Sequence, residues 1–418
     1  MSEPFTRAIL FVKQGRYREA ESYLRQAIQN DPQDPQGFFF LATCLMHDPK
    51  NRSEALSMID QALRLRPNRA FYHAQRANIL VLLGRTKEAM REVEQARTLA
   101  PESADSYVAE SVVMLVSGKP QEAERAARQA LALDAENEAA GDNLADALRM
   151  QGKLEESDAQ IRGLLARNPE NPSTHSSAGT LALQKGDGRA AERHFLAALR
   201  IDPEHSEARE GLLHAFRARS PFYRAYLKYS FTMERLGRGR RGLIVIGLLL
   251  LMQLANVTFV GRMAPIGFAL VAVYCLFVLW IWVARGVGNL FLLFDRFARR
   301  SLGSGEKREA IVVGGGVLVG LTLFAAGLLL KQISLVFLGL TFVSAVFPMS
   351  LVFTNRSTAG RIVFGLVGAL VYLGGLVSFL LLFLPADSAG DFATSMFGCT
   401  MILALIATWI GNIPALRR

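Results

Sequence analysis

The sequence predicts an all-α protein in which an α-solenoid precedes a polytopic bundle of transmembrane helices. Two observations predict this architecture: residues 1–205 repeat with a period of 34 residues, and residues 242–418 contain six long apolar stretches. The composition agrees with it, because the mean hydropathy of +0.22 is high although 20% of the 418 residues are charged. Three scattered cysteines exclude a disulfide framework.

Four series of residues mark the 34-residue period. Prolines stand at the turn that ends each repeat, with Ala135 in one slot, and glycines stand at the turn inside each repeat. Small residues recur at two positions of the second helix, where close packing against the first helix favours a small side chain. These two series begin at Ala20 and Ala27 and are interrupted by Ser157 and Leu164. The proline and glycine series are Pro32, Pro67, Pro101, Pro169 and Pro203, and Gly15, Gly84, Gly118, Gly152 and Gly186.

This pattern resembles the tetratricopeptide repeat, a pair of helices joined by a tight turn. The resemblance covers about six repeats in residues 1–205 and implies a right-handed α-solenoid with a concave groove. The sequence departs from the family pattern in the second repeat, whose HDPKN turn lacks the glycine. It departs again at His73, Gly141 and His175, which stand where a large aromatic residue is common early in the first helix.

The resemblance also implies that first-helix residues form the concave wall of a groove that binds protein partners. We expect this wall to be apolar in its N-terminal two-thirds and polar afterwards. An apolar wall suits an amphipathic helix or an apolar peptide. Alternatively, individual side chains pack between neighbouring repeats. The wall residues are Phe39, Met46, His47, Phe71, Asn78, Val81, Val108, Val112, Leu115, Asp142, Asp146 and Arg149.

Residues 206–241 are expected to connect the solenoid to the membrane. The stretch SEAREGLLHAFRA reads as a capping helix that Pro221 ends. After it, apolar residues spaced by three and four positions from Phe222 to Leu236 predict an amphipathic helix, with cationic residues beside them. We interpret it as an interfacial helix, and an additional solenoid helix is the alternative.

Six apolar stretches in residues 242–418 predict the membrane domain. Each has about the 20 residues needed to cross a bilayer, and none carries an Asp, Glu, Lys or Arg in its interior. The glycines and the few polar residues within these stretches are typical of contacts between helices in a membrane. The predicted spans are 242–260, 265–283, 311–330, 333–353, 362–384 and 394–415.

Cationic residues flank these spans mainly on one side, which predicts their orientation. By the positive-inside rule, both termini and the repeats lie in the cytoplasm, and a bacterial inner membrane is the default location. Residues 287–302 predict a second interfacial helix, whose basic residues either bind anionic lipid specifically or anchor the segment at the surface. The predicted membrane-interface residues are Arg238, Arg240, Arg241, Arg296, Arg299 and Arg300.

The charge distribution argues against a nucleic-acid partner. Residues 1–220 hold 29 basic and 31 acidic residues, whereas residues 221–418 hold 18 and 6, so the formal charge of +10 comes from the membrane half. The sequence contains no histidine pair, nucleophile with a base, or phosphate-binding loop that would indicate chemistry. We therefore expect no catalytic residue, metal site or cofactor.

Two functions remain open from the sequence. In the first, the protein is a membrane-anchored scaffold, whose repeats bind cytoplasmic or membrane proteins and assemble them at the bilayer. In the second, six spans exceed what an anchor needs, and the bundle is a transporter, channel or lipid-handling protein regulated by the repeats. The identity of the partner and the oligomeric state stay open.

Overall fold

The computed structural model of the chain describes residues 3–236, 264–296, 298–355, 357–382 and 387–410. Among these residues the regular structure is helical, without a strand. The chain divides into two compact units. The first contains Met1–Ala215 and Tyr229–Arg241, and the second contains Phe216–Lys228 and Gly242–Arg418. The predicted all-α fold class, with a solenoid followed by long apolar helices, is confirmed.

Twelve helices form the six predicted pairs of the first unit, and two more helices follow them. The pairs are α1 (Glu3–Lys13) with α2 (Tyr17–Asn30), α3 (Pro35–Leu45) with α4 (Arg52–Leu65), α5 (Ala70–Leu82) with α6 (Thr86–Leu99), α7 (Ala104–Val116) with α8 (Pro120–Leu133), α9 (Glu138–Gln151) with α10 (Leu154–Arg167), and α11 (Pro172–Lys185) with α12 (Gly188–Ile201). Helices α13 (Ser206–Arg217) and α14 (Pro221–Arg235) continue the chain.

The turn glycines end the first helix of their pairs. All five members of the predicted series adopt a positive φ between 70° and 88°, a conformation that glycine reaches without the steric cost a Cβ would bring. The second pair, which lacks the glycine, turns differently. There Asp48 accepts a 2.9 Å hydrogen bond from the backbone N–H of Lys50, and the Asn51 N–H bonds to the Asp48 carbonyl. An Asx-type turn therefore replaces the left-handed residue.

The small-residue series are buried, as close helix packing requires. The two interruptions are compensated individually. The Ser157 hydroxyl donates a 2.8 Å hydrogen bond to the Ala145 carbonyl, so the extra polar group is satisfied. Leu164 fills the space above Gly141, where an added Cβ would lie only 2.6 Å from Leu164 Cδ2. The glycine that departs from the repeat pattern thus makes room for the leucine that also departs from it.

Packing between repeats places the first helices side by side. Helix α1 contacts α3, α5 contacts α7, α7 contacts α9, and α9 contacts α11. Ring contact between Phe39 and Phe71, at 4.4 Å between centroids, connects α3 to α5. We call the surface formed by these six helices the first-helix wall. The second helices contact the first helix of the following repeat, so each repeat buries its apolar face against its neighbours.

The second unit contains long apolar helices and two short polar ones among its described residues. They are α15 (Ala264–Phe294), α16 (Ala298–Ser301), α17 (Ser304–Glu309), α18 (Gly315–Leu329), α19 (Ile333–Thr354), α20 (Thr358–Leu381) and α21 (Asp387–Ile410), with one π-helical turn at Ala310–Gly314 between α17 and α18. Helices α18 and α19 are a tight hairpin: Lys331 has a φ of 53° in their short link, and a Cβ on Gly339 would lie 2.5 Å from the backbone N of Phe324.

Within the part of the chain that the structure describes, three helical segments are long and apolar enough to span a membrane, namely Ser304–Leu329, Ile333–Thr354 and Thr358–Leu381. They correspond to three of the six predicted spans. The predicted spans 265–283 and 394–415 fall largely on α15 and α21, whose described apolar parts are shorter. The predicted span 242–260 lies outside the described residues. The total number of spans stays a prediction.

The segment 287–302 differs from the separate interfacial helix that the sequence predicts. Residues up to Phe294 continue α15, and the chain turns at Asp295 before the four-residue helix α16. Asp295 explains the break, because its carboxylate accepts a 3.0 Å hydrogen bond from the backbone N–H of Ala298 and caps the new helix. An apolar stripe at helical spacing cannot reveal whether it belongs to a separate helix or extends the preceding one.

Candidate functional site

The first-helix wall carries the twelve residues that the sequence assigns to a partner-binding groove, in three states of exposure. His47 and Phe71 are exposed, whereas Val81, Asp142 and Arg149 are buried. The other seven are half-buried, and several of them contribute to packing between repeats, so both interpretations offered by the sequence are represented. Whether these residues bind a partner stays a prediction. The half-buried residues are Phe39, Met46, Asn78, Val108, Val112, Leu115 and Asp146.

An aromatic patch occupies the N-terminal part of the wall. The Phe39 ring lies 5.1 Å from the Phe40 ring, 4.4 Å from the Phe71 ring and 5.5 Å from the Tyr72 ring, measured between centroids. Tyr72 is buried and anchors the group, while the Phe71 side chain remains 40% exposed. Edge-to-face contacts of this kind fix the ring positions. The patch therefore presents a rigid apolar surface that is only partly covered by the protein itself.

A polar acceptor lies further along the same helix. The Asn78 side-chain oxygen is buried and has no hydrogen-bond partner among the described residues. A buried acceptor without a donor is uncommon and costs free energy unless something outside the described protein satisfies it. Two repeats further on, Asn143 instead donates a 2.7 Å hydrogen bond to the Ser111 hydroxyl and is thereby occupied within the solenoid.

The C-terminal part of the wall is covered by the protein's own chain. Arg149 is buried, and its guanidinium donates to the Glu234 carboxylate at 3.2 and 3.4 Å. The same guanidinium contacts Asp146 at 3.2 Å and the Gln184 side-chain oxygen at 3.2 Å. At the last residue of α14, the Arg235 guanidinium lies so close to Gly152 that a Cβ added there would be 3.4 Å from it. The end of α14 thus lies against α9, where the sequence predicts a polar part of the groove.

Asp142 lies in this covered region and has an unusual acidity. Burial raises the pKa of its carboxyl to about 7, the neighbouring carboxylate of Asp146 acts in the same direction, and a 2.8 Å hydrogen bond from the Thr174 hydroxyl opposes both. The side chain is 8% exposed. Asp142 is thus a partly protonated structural group near neutral pH, rather than a permanently charged residue that a partner could contact.

The two ends of the repeat array approach each other near His47. The His47 ring stacks on Tyr17, with 3.9 Å between centroids and an interplanar angle of 9°. Desolvation by the surrounding protein lowers the pKa of the His47 imidazole, whereas the negative charge of the nearby Asp202 acts to raise it. Arg18 and Glu204 form an exposed ion pair at 3.1 Å. His47 therefore lies near the last turn of the array and does not face an unobstructed groove.

The two histidines that stand at the position of the common aromatic residue have equivalent structural roles. His73 and His175 are separated by three repeat periods, and each has its Nε2 within 3.0 Å of the carbonyl of the turn proline six residues earlier. The Nδ1 of His73 pairs with Glu92 at 2.8 Å, and the Nδ1 of His175 contacts His194 at 3.2 Å. The family's aromatic residue is thus replaced by a polar bridge to the preceding turn.

The predicted membrane-interface residues fall into two groups. Arg238, Arg240 and Arg241 lie outside the described residues. Arg296, Arg299 and Arg300 are exposed and line one pocket of the second unit. Their assignment to a membrane surface stays a prediction.

A buried polar network in the second unit was missed by reasoning from the sequence. Arg217 donates a 2.8 Å hydrogen bond to the side-chain oxygen of Asn289, which in turn donates a 3.0 Å hydrogen bond to Glu309. Arg285 lies 3.2 Å from the same Glu309 oxygen. The first three of these residues are at most 3% exposed. Only the asparagine within an otherwise apolar stretch signals the network, because the partners are 20 and 72 residues away.

The described residues contain no group of three or more His, Cys, Asp or Glu side chains placed to hold a metal ion. Cys44 is buried, and burial raises the pKa of its thiol to about 12, which makes it a poor nucleophile. The first unit thus has an aromatic patch that is partly exposed and a polar region that is covered by its own chain.

Comparison with known proteins concerns the repeats. Residues 11–79 match the family model of the tetratricopeptide repeat. No curated protein matches the chain. Solved structures to which the chain is similar include YrrB, a TPR protein with an unusual peptide-binding site (23% identity over 44% of this chain and 95% of that chain, TM-score 0.28); PilW, a widely conserved type IV pilus biogenesis factor (19%, 50% and 96%, 0.38); and PilF of Pseudomonas aeruginosa (21%, 50% and 94%, 0.34).

The family match and the structure agree on the nature of the first unit. Its helix pairs recur with the period read from the sequence, and its turn glycines are left-handed in five of the six pairs. Residues 11–79 of this chain match the tetratricopeptide repeat, helix pairs continue from there to Ile201, and a region of long apolar helices follows them.

Proposed function

We propose that this protein is a membrane-anchored scaffold that binds protein partners through its first-helix wall. The observation that carries the proposal is the aromatic patch around Phe39 and Phe71, because a preformed apolar surface on a solenoid wall suits an apolar or amphipathic helical segment. The role is binding rather than catalysis.

The membrane part of the proposal rests on the long apolar helices. The solenoid of residues 1–205 would lie in the cytoplasm, and residues 242–418 would cross a bacterial inner membrane. The clustering of basic residues between the predicted spans supports this orientation through the positive-inside rule. Residues 206–241 would connect the two parts. No nucleic acid, metal or cofactor is needed for this function.

A site-specific cross-linking experiment tests partner binding in living cells. A photoreactive phenylalanine analogue replaces Phe71 in the full chain, and the same analogue replaces Leu133 as a matched control. Both side chains are 40% exposed, but Leu133 ends a second helix and lies off the wall. We expect a defined protein adduct at position 71 that is absent at position 133 and is lost when Phe39→Ala removes half of the patch.

Two results would overturn the proposal. Identical adducts at positions 71 and 133, or none at 71 in a correctly folded chain, would contradict a binding role for the wall. Release of the full chain from membranes by alkaline carbonate would contradict anchoring, because integral helices remain in the bilayer under conditions that strip peripheral proteins.

A further inference from the structure

A cationic pocket of about 400 Å³ lies where α15 ends and the next long apolar segment begins. Four basic side chains and two apolar ones line it, and no acidic residue does. The pocket exists because the chain turns sharply after α15, so that residues before and after the turn face a common space. Its lining residues are Leu293, Phe294, Arg296, Arg299, Arg300 and Lys307.

The protein does not neutralise these four positive charges. None of the four forms an ion pair or a side-chain hydrogen bond within the described residues. Two neighbouring acidic residues are engaged elsewhere: Asp295 accepts from Arg219 at 2.6 Å and caps α16, and Glu309 accepts from the buried Asn289. A third, Glu306, precedes Lys307 in the sequence but does not line the pocket. The pocket therefore concentrates uncompensated positive charge, which favours an anionic ligand.

The position and shape of the pocket indicate where that anion comes from. The segment Ser304–Leu329 is a candidate membrane span, so Lys307 stands within one turn of its beginning, at the depth of lipid headgroups if the segment crosses a bilayer. The Phe294 side chain is 82% exposed and Phe291 is 56% exposed, beside the basic residues. Exposed aromatic rings next to arginines match the boundary between headgroups and acyl chains.

We propose that this pocket binds the phosphate group of an anionic phospholipid. The planar guanidinium groups would donate paired hydrogen bonds to phosphate oxygens, and Phe294 would contact the glycerol and upper acyl region. The proposal rests on the proposed membrane insertion of these helices, and it is independent of partner binding by the solenoid.

Two adjacent residues give a matched test, because Lys307 lines the pocket and the exposed Arg308 does not. The full chain is placed in nanodiscs of phosphatidylcholine with and without phosphatidylglycerol, and the affinity for a spin-labelled phosphatidylglycerol is measured by its restricted signal. Each cation near an anionic surface contributes roughly 1 kcal/mol. We therefore expect Lys307→Gln to weaken the binding about fivefold, and the double variant with Arg299→Gln and Arg300→Gln to weaken it about 25-fold. Arg308→Gln should change it less than about twofold.

Each other outcome has a defined meaning. Equal losses for Lys307→Gln and Arg308→Gln would indicate diffuse surface attraction and overturn the pocket. If inorganic phosphate binds the detergent-solubilised chain, in a manner lost only with Lys307→Gln, the phosphate chemistry holds but its source is soluble. Membrane extraction of every variant separates these results from a failure of insertion, because a chain that does not insert will appear in the soluble fraction.

Discussion

The ion pair between Arg149 and Glu234 is expected to hold the end of α14 on the first-helix wall. The Arg149 side chain is 8% exposed and the Glu234 side chain 33% exposed, and they meet at 3.2 Å. A fully buried pair costs about 3–5 kcal/mol when broken, whereas an exposed pair contributes at most about 1 kcal/mol. Because one partner is buried and the other one-third exposed, we expect a coupling energy of about 1–2 kcal/mol.

A double-mutant cycle in the full chain measures this coupling. Glu234→Gln, Arg149→Met and the double variant are compared by hydrogen exchange of the amides in residues 229–235. Since about 1.4 kcal/mol corresponds to a tenfold change, Glu234→Gln should accelerate exchange of that segment about 5- to 30-fold. Once Arg149 has been replaced, the same change should have little further effect.

An exposed pair serves as the control for this cycle. Arg85 and Glu88 are three residues apart at the surface, so Glu88→Gln should alter exchange in α6 by less than about threefold. The reasoning is refuted if Glu234→Gln leaves residues 229–235 as protected as before, or if the effects of Glu234→Gln and Arg149→Met add without coupling.

Three further predictions concern packing, pH and the buried network. Leu164→Ala should destabilise the fifth repeat by about 2–5 kcal/mol, and adding Gly141→Ala should recover part of that loss, as measured by hydrogen exchange in α9 and α10. Because burial raises the pKa of Asp142 to about 7, its contribution to stability is complete below the unfolded pKa near ~4 and is lost as the pH rises through about 7. Asp142→Asn should therefore flatten the pH dependence of thermal unfolding across that window, and an unchanged profile would contradict this. Asn289→Ala should lower the free energy of unfolding by about 3 kcal/mol or more, because it removes both the acceptor of the buried Arg217 and the donor to Glu309; a loss below about 1 kcal/mol in thermal unfolding would show that the network does not stabilise the fold.

Much of the first unit could be predicted because its information is local and repeated. A glycine that requires a positive φ, or an alanine that must sit under a neighbouring helix, is specified by its own position, and six repeats of the same requirement reveal the period. The departures were harder to interpret. The sequence shows that Gly141 and Leu164 are both exceptions, but only their contact explains why the two exceptions occur together.

The candidate site was predictable only in part. First-helix positions could be assigned to a wall from the repeat pattern, and the aromatic patch around Phe39 follows from it. The covering of Arg149 by Glu234 could not be anticipated, because 85 residues separate them and neither position is unusual in its own helix. A periodic pattern indicates which face a residue occupies, and does not indicate which distant segment lies against that face.

By itself, the sequence determined the helical pairs, their period and the apolar character of the second half, since turn chemistry and hydropathy act over a few residues. Tertiary structure decided which wall residues stay exposed, where α15 ends, and that Arg217, Asn289 and Glu309 meet. It also brought four basic side chains into one pocket. The physical reason is that burial and charge pairing depend on segments that chain folding brings together, and no local pattern encodes those encounters.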